Sequence, residues 1–296
     1  MKKFLLIALA AALIAALLVF QTVRRGRVTT IVDDEYNDDI CSVTGGEADV
    51  FRGRHGQTLT IYSIKHGSLA LRVGCHWLYV DPVATAVAPA TDYGALPKAD
   101  YILITHSHPD HLDADAVATL STERTRIIAN AEGVGALLEA NAEGVGALLE
   151  ANTESAVLLE ANAEGVGAEV LANGDRLTLG DGWTVEAVPA YNCSPDKQQF
   201  HPQGRDNGYI LTVCGLRVYI AGDTEDIAEL RALKDIDIAF LPCNQPFTMT
   251  PEQCARAART MAPRVLFPYH YGDTDVQSLP TLLEGSGIDV RIRSYR

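Results

Sequence analysis

A run of metal-ligand residues directly after an apolar segment sets the strongest limit on how this 296-residue chain can fold. The segment Tyr101–Thr105 is typical of a buried strand, and His106, His108, Asp110 and His111 follow it. Residues spaced i and i+2 at a strand end point to the same side, so His106 and His108 can bind one ion. Once the chain has turned, Asp110 and His111 can face a second ion beside it. Imidazole and carboxylate ligands suit Zn, Mn or Fe(II).

Strand-like patterns dominate the rest of the chain. Short apolar segments separated by turn signals predict strands. The predicted strands are Thr58–Ile64, Ser68–Val73, Trp77–Val80, Tyr101–Thr105, Arg126–Ala129, Arg176–Leu179, Thr184–Val188, Tyr209–Val213, Arg217–Ala221, Ile236–Leu241 and Val265–Pro268. Helices are predicted at Glu225–Leu233, Pro251–Met261 and Val276–Leu283. Two groups of strands, each followed by helices, predict an α/β fold in which two sheets pack together with helices outside.

The metal-ligand motif also resembles a known family signature. H-x-H-x-D-H after an apolar strand is similar to the signature of the metallo-β-lactamase fold superfamily. Further phrases come in the family's order, namely Lys65–Ser68, Val80–Pro82, Ala221–Thr224 and Pro268–Gly272. The resemblance implies an αββα sandwich of two mixed β-sheets with outer helices. The branch that it resembles includes ascorbate-6-phosphate lactonases and N-acyl-phosphatidylethanolamine phospholipase D.

The same resemblance implies further metal ligands. Asp223 follows a predicted strand and matches the aspartate that bridges two ions. His270 matches the last histidine, on the ion that Asp110 and His111 serve. The implied cofactor is a pair of divalent ions, with Zn as the first expectation and Mn or Fe as alternatives. Asp110 and Asp223 are the predicted catalytic carboxylates.

One ligand position departs from the family pattern. Where many relatives have histidine in a phrase like Ala-x-His-Ser, this chain has Asn192 within Ala190–Ser194. We predict that His201, the nearest histidine, completes the first site together with His106 and His108. Two alternatives stay open. Asn192 could be a weak oxygen ligand or a substrate contact, or the first site could lack one ligand.

Several other residues are predicted to surround the ions without binding them. His66 lies between two early strands and is expected to support the site or to pack in the core. Asp81 is expected to hydrogen-bond to a ligand or to stabilise a turn. Tyr191 is a candidate substrate contact, like Asn192. The candidate pocket residues as a group are Tyr191, Arg205, Asn207, Gln245 and Tyr269.

The N-terminal region predicts a membrane segment and a polar connection. Phe4–Phe20 is an unbroken apolar run between basic residues, and at about 1.5 Å per residue it barely spans a hydrocarbon core of about 30 Å. We predict that residues 1–23 anchor the chain, with the catalytic domain on the periplasmic or extracellular side. Secretion after signal cleavage and a cytoplasmic-facing domain are the alternatives. Residues 24–57 are predicted to be an acidic tether, followed by one folded domain over 58–296.

A tandem repeat interrupts this domain. Asn130–Ala140 and Asn141–Ala151 are identical, and a degraded copy and a partial copy follow. An eleven-residue period places the leucines of successive copies on one helical face. Each glycine in the copies weakens such a helix by about 1 kcal/mol relative to alanine. We therefore predict an insertion at about 130–168 that lengthens one surface helix or helix–loop and takes no part in the active site.

Charge and cysteine content exclude some classes of function. The formal net charge of -14 opposes binding to phosphate backbones, so no nucleic-acid partner is expected. The six cysteines include no C-x-x-C pair, which argues against a zinc ribbon or a disulfide scaffold.

The predicted chemistry is hydrolysis. Two divalent ions can lower the pKa of a shared water to about 7, and the hydroxide can attack a carbonyl carbon or phosphorus. The sequence contains no G-x-S-x-G elbow and no phosphate-binding P-loop. We predict a dinuclear metal-dependent hydrolase that uses a metal-bound hydroxide on a small ester, lactone or phosphodiester. A membrane-tethered lipid phosphodiesterase and a non-catalytic metal-binding scaffold are the alternatives.

Overall fold

The apolar segments of this chain pair into two seven-stranded β-sheets. The computed structural model describes residues 39–142 and 167–295. The first sheet has its strands in sequence order: β1 (Glu47–Arg52), β2 (Thr58–Lys65), β3 (Ser68–Val73), β4 (His76–Val80), β5 (Tyr101–Ile104), β6 (Arg126–Ala129) and β7 (Ala168–Val170). Neighbouring strands are antiparallel from β1 to β4 and parallel from β4 to β7.

The second sheet repeats this arrangement. Its strands also lie in sequence order: β8 (Arg176–Thr178), β9 (Thr184–Ala190), β10 (Asp206–Val213), β11 (Leu216–Ile220), β12 (Ile238–Pro242), β13 (Val265–Tyr269) and β14 (Asp289–Val290). The pairs are antiparallel from β8 to β11 and parallel from β11 to β14. Both halves of the chain therefore form a mixed sheet with the same sequence of pairings.

The side chains of each strand alternate between two apolar layers. In β11, Val218 and Ile220 face the core between the two sheets, while Tyr219 faces the outer layer. The core between the sheets also holds the fully buried Phe240 and Phe267, whose rings stack at 4.8 Å. A side chain of this size contributes roughly 1.5–3 kcal/mol when fully buried.

Helices cover the outer faces of the sheets. They are α1 (Asp39–Thr44), α2 (Ala114–Leu120), α3 (Ala131–Ala142), α4 (Pro251–Met261) and α5 (Leu279–Leu282). Helix α4 begins at a capping box formed by Thr250 and Gln253. Its buried side chains recur at helical spacing, at Cys254, Ala257, Ala258 and Met261. The predicted αββα fold with two mixed sheets is thus confirmed.

The folded region begins earlier than predicted. The predicted tether includes residues that form α1 and β1, and β1 pairs along the length of β2. Phe51 of β1 is fully buried, and the Asp49 carboxylate accepts hydrogen bonds from Arg291 and Arg293 at 2.8 Å. The boundary at Thr58 is therefore wrong. The charge of Asp49 suggests a solvated segment, but its partners lie at the other end of the chain.

Some predicted elements differ in type or length. The segment Glu225–Leu233 contains only a short 3₁₀-helix, Ala228–Ala232, because Ile227 has an extended backbone with ψ 158°. The predicted helix Val276–Leu283 shortens to α5. The predicted set does not include the elements α1, α2, β1, β7 and β14. The two edge strands β7 and β14 have three and two residues, too few to produce a clear alternation.

The first repeat copy forms α3, and its Val134 and Leu137 are buried against the first sheet. The later copies fall mainly within residues 143–166, outside the described residues. The predicted anchor over 1–23 also lies outside them. Across residues 39–142 and 167–295, no helix is both long enough and apolar enough to cross a membrane.

Candidate metal centre

Strand ends and loops from both sheets bring the predicted ligands together. His106 and the rest of its motif follow β5, Asp223 follows β11, and His270 follows β13 directly. These three strands belong to the parallel parts of their sheets. His201 comes from the long connection between β9 and β10. Seven residues from four separate segments of the sequence therefore converge where the two sheets meet.

One group of three histidines lies on the first side of the centre. His106, His108 and His201 each offer a ring nitrogen, and the three nitrogens lie within 4.8 Å of one another. Two of these nitrogens, His106 Nε2 and His108 Nδ1, are 3.1 Å apart. His201 is only 2% exposed, and its carbonyl accepts a hydrogen bond of 2.8 Å from the backbone of Asn192. The His201 side chain thus lies where sequence reasoning expected it.

A second group surrounds the Asp110 carboxylate. Its Oδ2 lies 3.0 Å from His66 Nε2, 3.5 Å from His270 Nε2 and 3.9 Å from His111 Nε2. The His66 and His270 rings are in contact, with centroids 3.7 Å apart. His66 therefore belongs to this group through a direct contact with a predicted ligand.

Asp223 lies between the two groups. Its Oδ2 is 3.2 Å from His201 Nε2, and its Oδ1 is 3.5 Å from both His111 Nε2 and His270 Nε2. Each oxygen of this one carboxylate therefore faces a different group of histidines. That is the placement expected of a bridging ligand.

Asp81 orients the His111 ring through Nδ1, the ring nitrogen that faces away from the centre. The fully buried Asp81 carboxylate lies 2.8 Å from His111 Nδ1 and accepts hydrogen bonds from the backbone and hydroxyl of Thr105, at 2.8 and 2.6 Å. A hydrogen bond at Nδ1 fixes the tautomer and leaves Nε2 directed into the centre. The expected supporting role of Asp81 agrees with these contacts.

Backbone conformations that are unusual for side-chain-bearing residues concentrate at this centre. His66, Asp81 and His270 have φ of 47°, 43° and 45°, in the left-handed region. Only three other non-glycine residues in the described part of the chain have positive φ. Gly67 permits a close approach, because a Cβ there would lie 2.8 Å from His111 Cε1. Such strain is frequent at functional sites.

Several buried ligand atoms at the centre make no hydrogen bond. They are His111 Nε2, both ring nitrogens of His201 and of His270, and Asp223 Oδ1. Buried polar atoms are nearly always satisfied, so a group of such atoms in one place needs a partner. Their nitrogen and carboxylate chemistry fits divalent metal ions, and the residues present therefore match the implied cofactor.

The electrostatics of the centre point the same way. Burial lowers the pKa of His106 well below its usual range, which keeps the imidazole neutral and able to bind a metal. Burial alone would also lower the pKa of His111, but the carboxylates of Asp223 and Asp81 raise it to about 10. The buried carboxylates thus favour positive charge at the centre, and divalent ions would supply it.

Asn192 and Tyr191 have other contacts. The Asn192 amide donates to the carbonyls of Lys197 and Phe247, at 3.1 and 2.7 Å, and so joins two loops. The Tyr191 hydroxyl donates to Glu229 at 2.9 Å. The Tyr191 side chain therefore does not reach the pocket that contains the candidate ligands.

That pocket has a volume of about 220 Å³. It is lined by His108, Asp110, Phe200, His201, Asp223, Asn244, Phe247 and His270. None of the five residues proposed from the sequence as pocket candidates lines it. Sequence reasoning missed Phe200, Asn244 and Phe247. Phe200 precedes His201 and could have been inferred from it, whereas Asn244 and Phe247 lie in a loop with no local signal.

Comparisons with known proteins identify the family of this chain. A family profile described as "Beta-lactamase superfamily domain" matches residues 76–271. The UPF0173 metal-dependent hydrolase of Thermococcus onnurineus is 29% identical over 203 residues, covering 67% of this chain and 79% of that protein.

Solved structures give the same result. A metal-dependent hydrolase from Parabacteroides distasonis is 48% identical, with a TM-score of 0.72, and the match covers 85% of this chain and all of that one. A metallo hydrolase from Ignicoccus hospitalis is 23% identical, with a TM-score of 0.58 over 77% of this chain and 91% of its own, and supports the fold alone. The chain therefore belongs to the metallo-β-lactamase superfamily, where its relatives are metal-dependent hydrolases.

Proposed function

We propose that this protein is a dinuclear metal-dependent hydrolase that acts on a small ester, lactone or phosphodiester. The observation that carries the proposal is the position of Asp223, whose two oxygens face different groups of histidines. A single-metal centre would need only one of these groups.

The seven candidate ligands divide between two ions. His106, His108 and His201 would hold the first ion. Asp110, His111 and His270 would hold the second, and Asp223 would contact both. Five imidazoles and two carboxylates suit Zn best, with Mn or Fe as alternatives. When bound, such ions supply Lewis acidity, which lowers the pKa of water and polarises the oxygen of an ester or phosphoryl group.

The chain's own residues keep the two carboxylates ionised. Burial would raise the pKa of Asp110, but the nearby His270 and His66 imidazoles hold it far below its usual range. Burial also opposes ionisation of Asp223, and the nearby His270 and His111 lower its pKa well below normal. Both side chains therefore accept hydrogen bonds at neutral pH and can orient a nucleophile that carries a proton.

The decisive experiment measures metal and turnover together. The full-length protein, expressed with excess metal and analysed by inductively coupled plasma mass spectrometry, should carry about two ions per chain. The same sample should hydrolyse at least one member of a panel of esters, lactones and phosphodiesters assayed with Zn, Mn and Fe. A metal content near zero would defeat the ligand assignment. Two ions without turnover on any substrate would favour the non-catalytic scaffold.

A second candidate is a membrane-tethered lipid phosphodiesterase, for which the apolar run Phe4–Phe20 is the supporting feature. The proposed location is at a membrane, with the hydrolase domain on the periplasmic or extracellular side. The full chain should then co-sediment with phospholipid vesicles and release phosphate-bearing headgroups from them. Hydrolysis of soluble esters without attack on vesicle lipids would exclude this candidate.

A further inference from the structure

The pocket beside the candidate ligands has an aromatic wall. Phe200 and Phe247 both line it, and their rings meet edge to face with centroids 5.1 Å apart and planes at 78°. Phe247 is 39% exposed, and among the described residues the only other large hydrophobic side chain so exposed is Val43. Aromatic side chains that line a pocket together with a few convergent polar groups are typical of a ligand-binding site.

Hydrogen bonds to their backbone groups hold both phenylalanines in place. The Phe247 carbonyl accepts a hydrogen bond of 2.7 Å from the Asn192 amide. The Phe200 backbone donates to Lys197 and accepts from the Arg205 guanidinium, each at 2.9 Å. The rings are therefore presented by fixed loops, which lowers the entropy lost when a ligand packs against them.

The pocket also lacks a cationic side chain that could neutralise a negative charge on the substrate outside the metal centre. None of its eight lining residues is lysine or arginine. The cations in the neighbouring loop are already paired. Arg205 makes hydrogen bonds of 2.7 and 2.9 Å to both oxygens of Asp206, and Lys197 lies 3.4 Å from Glu225. Outside the metal centre, an anionic substrate would meet no compensating side chain there.

We propose that Phe200 and Phe247 determine specificity by packing against an uncharged aryl or alkyl group beside the scissile bond. This inference rests on the proposed hydrolase function and narrows it. Within the three substrate classes, it favours members whose group beside the scissile bond is apolar and uncharged. Aromatic rings that meet edge to face can accept such a group with favourable geometry.

Binding of a neutral aromatic probe tests the wall without any turnover. Benzamide can be titrated into the zinc-loaded full-length protein by NMR. Phe247→Ala should weaken binding about tenfold, which is a typical effect of losing one aromatic contact. Phe247→Leu keeps much of the apolar surface and should weaken it less than about threefold. Val43→Ala removes an exposed apolar group elsewhere and should change nothing. Equal binding by wild type and Phe247→Ala would overturn the proposal.

Hydrolysis gives the second measurement. With methyl benzoate, Phe247→Ala should raise KM about tenfold and leave kcat within about twofold, because the ring contacts the substrate but not the reacting atoms. With methyl acetate, which has no large apolar group, Phe247→Ala should raise KM much less than it does with methyl benzoate. A general structural defect would instead lower kcat on both esters, and that result would count against the specificity role.

A charged analogue tests the electrostatic half of the inference. The 4-carboxylate derivative of methyl benzoate adds one negative charge to the same ring. Its kcat/KM should be at least about tenfold lower than that of methyl benzoate. Equal or faster hydrolysis of the charged ester would overturn the inference. If the wild type hydrolyses no ester, lactone or phosphodiester of the wider panel, the proposed function fails, while the benzamide titration still decides whether Phe247 forms a binding wall.

Discussion

His201 and Asn192 show how a candidate ligand can stand at a different position in the sequence and still reach the same group of side chains. The family pattern pointed to position 192, and the structure brings a histidine from nine positions later to the same group as His106 and His108. Most of the converging side chains could be predicted because they follow strand ends in recognisable phrases, whereas His201 could be predicted only as the histidine nearest to the altered phrase. The aromatic wall could not, because Phe247 meets Phe200 through a loop contact between positions 47 residues apart.

Replacing the two candidates separately distinguishes their roles. His201→Ala should reduce the metal content from about two ions per chain to about one, because only two histidines of the first group remain. Asn192→Ala should keep two ions and should destabilise the protein by about 1–2 kcal/mol through the loss of two hydrogen bonds. Metal analysis and thermal denaturation measure both effects. The opposite pattern of metal loss would make Asn192 the ligand.

At the scale of elements, a buried glutamate holds the loop that carries His201. Glu225, fully buried after β11, accepts hydrogen bonds from the backbone and hydroxyl of Ser194 at 2.6 and 2.8 Å. It also lies 3.4 Å from Lys197 Nζ. Residues between β9 and β10 thus gain a fixed path without regular secondary structure. Sequence patterns predict strands well, as in Ser68–Val73, but they do not reveal such contacts between a loop and a distant turn.

Substitution of Glu225 should loosen this loop. Glu225→Gln removes the charge that strengthens these bonds and should cost about 1–3 kcal/mol in the free energy of unfolding at pH 7. The first ion should also bind more weakly, since His201 lies on the same loop. Calorimetry and metal titration measure the two effects. Glu229→Gln, which can still accept from Tyr191, is the matched control and should leave metal affinity unchanged.

The cost of Glu225→Gln should depend on pH. Burial would raise the pKa of Glu225, but hydrogen bonds from Ser194 and Gln253 outweigh it and hold the pKa below its ordinary value of 4.5. A carboxyl group with a lowered folded pKa stabilises the protein above its unfolded pKa and loses this effect as pH falls through the folded value. The difference in stability between wild type and Glu225→Gln should therefore be constant near neutral pH and shrink below about pH 4.5. A difference that grows in acid would show that another group controls the loop.

At the scale of the whole molecule, the insertion joins the last two strands of the first sheet. It lies between β6 and β7, where the copy that forms α3 packs on the sheet and the connection then returns at β7. Asn130 caps the start of α3 by accepting a hydrogen bond of 2.7 Å from Gly133, and its amide donates to the carbonyl of Arg205. The first copy therefore contributes to the fold near the metal centre, more directly than the sequence indicated.

Removing one repeat unit should leave the enzyme intact. Deletion of residues 141–151 keeps the buried Val134 and Leu137, removes the last two residues of α3 and shortens the connection to β7. The entropy of closing a connection changes slowly with its length, so stability should change by less than about 1 kcal/mol. Thermal denaturation and metal analysis measure the outcome, and the metal content should stay at about two ions per chain. A large loss of stability or of metal would show that the second copy supports the fold.

The matching order of strand pairings in the two sheets has an evolutionary consequence. Three antiparallel pairs followed by three parallel ones, found twice along one chain, are what an ancient doubling of a half-sized gene would leave behind. The segment between β6 and β7 then has its counterpart between β13 and β14, where the ancestral crossover has stayed short. The two crossovers now differ in length, with 38 residues between β6 and β7 and 19 between β13 and β14. The one that has grown by duplication identifies the place where a reporter or a second domain can be grafted.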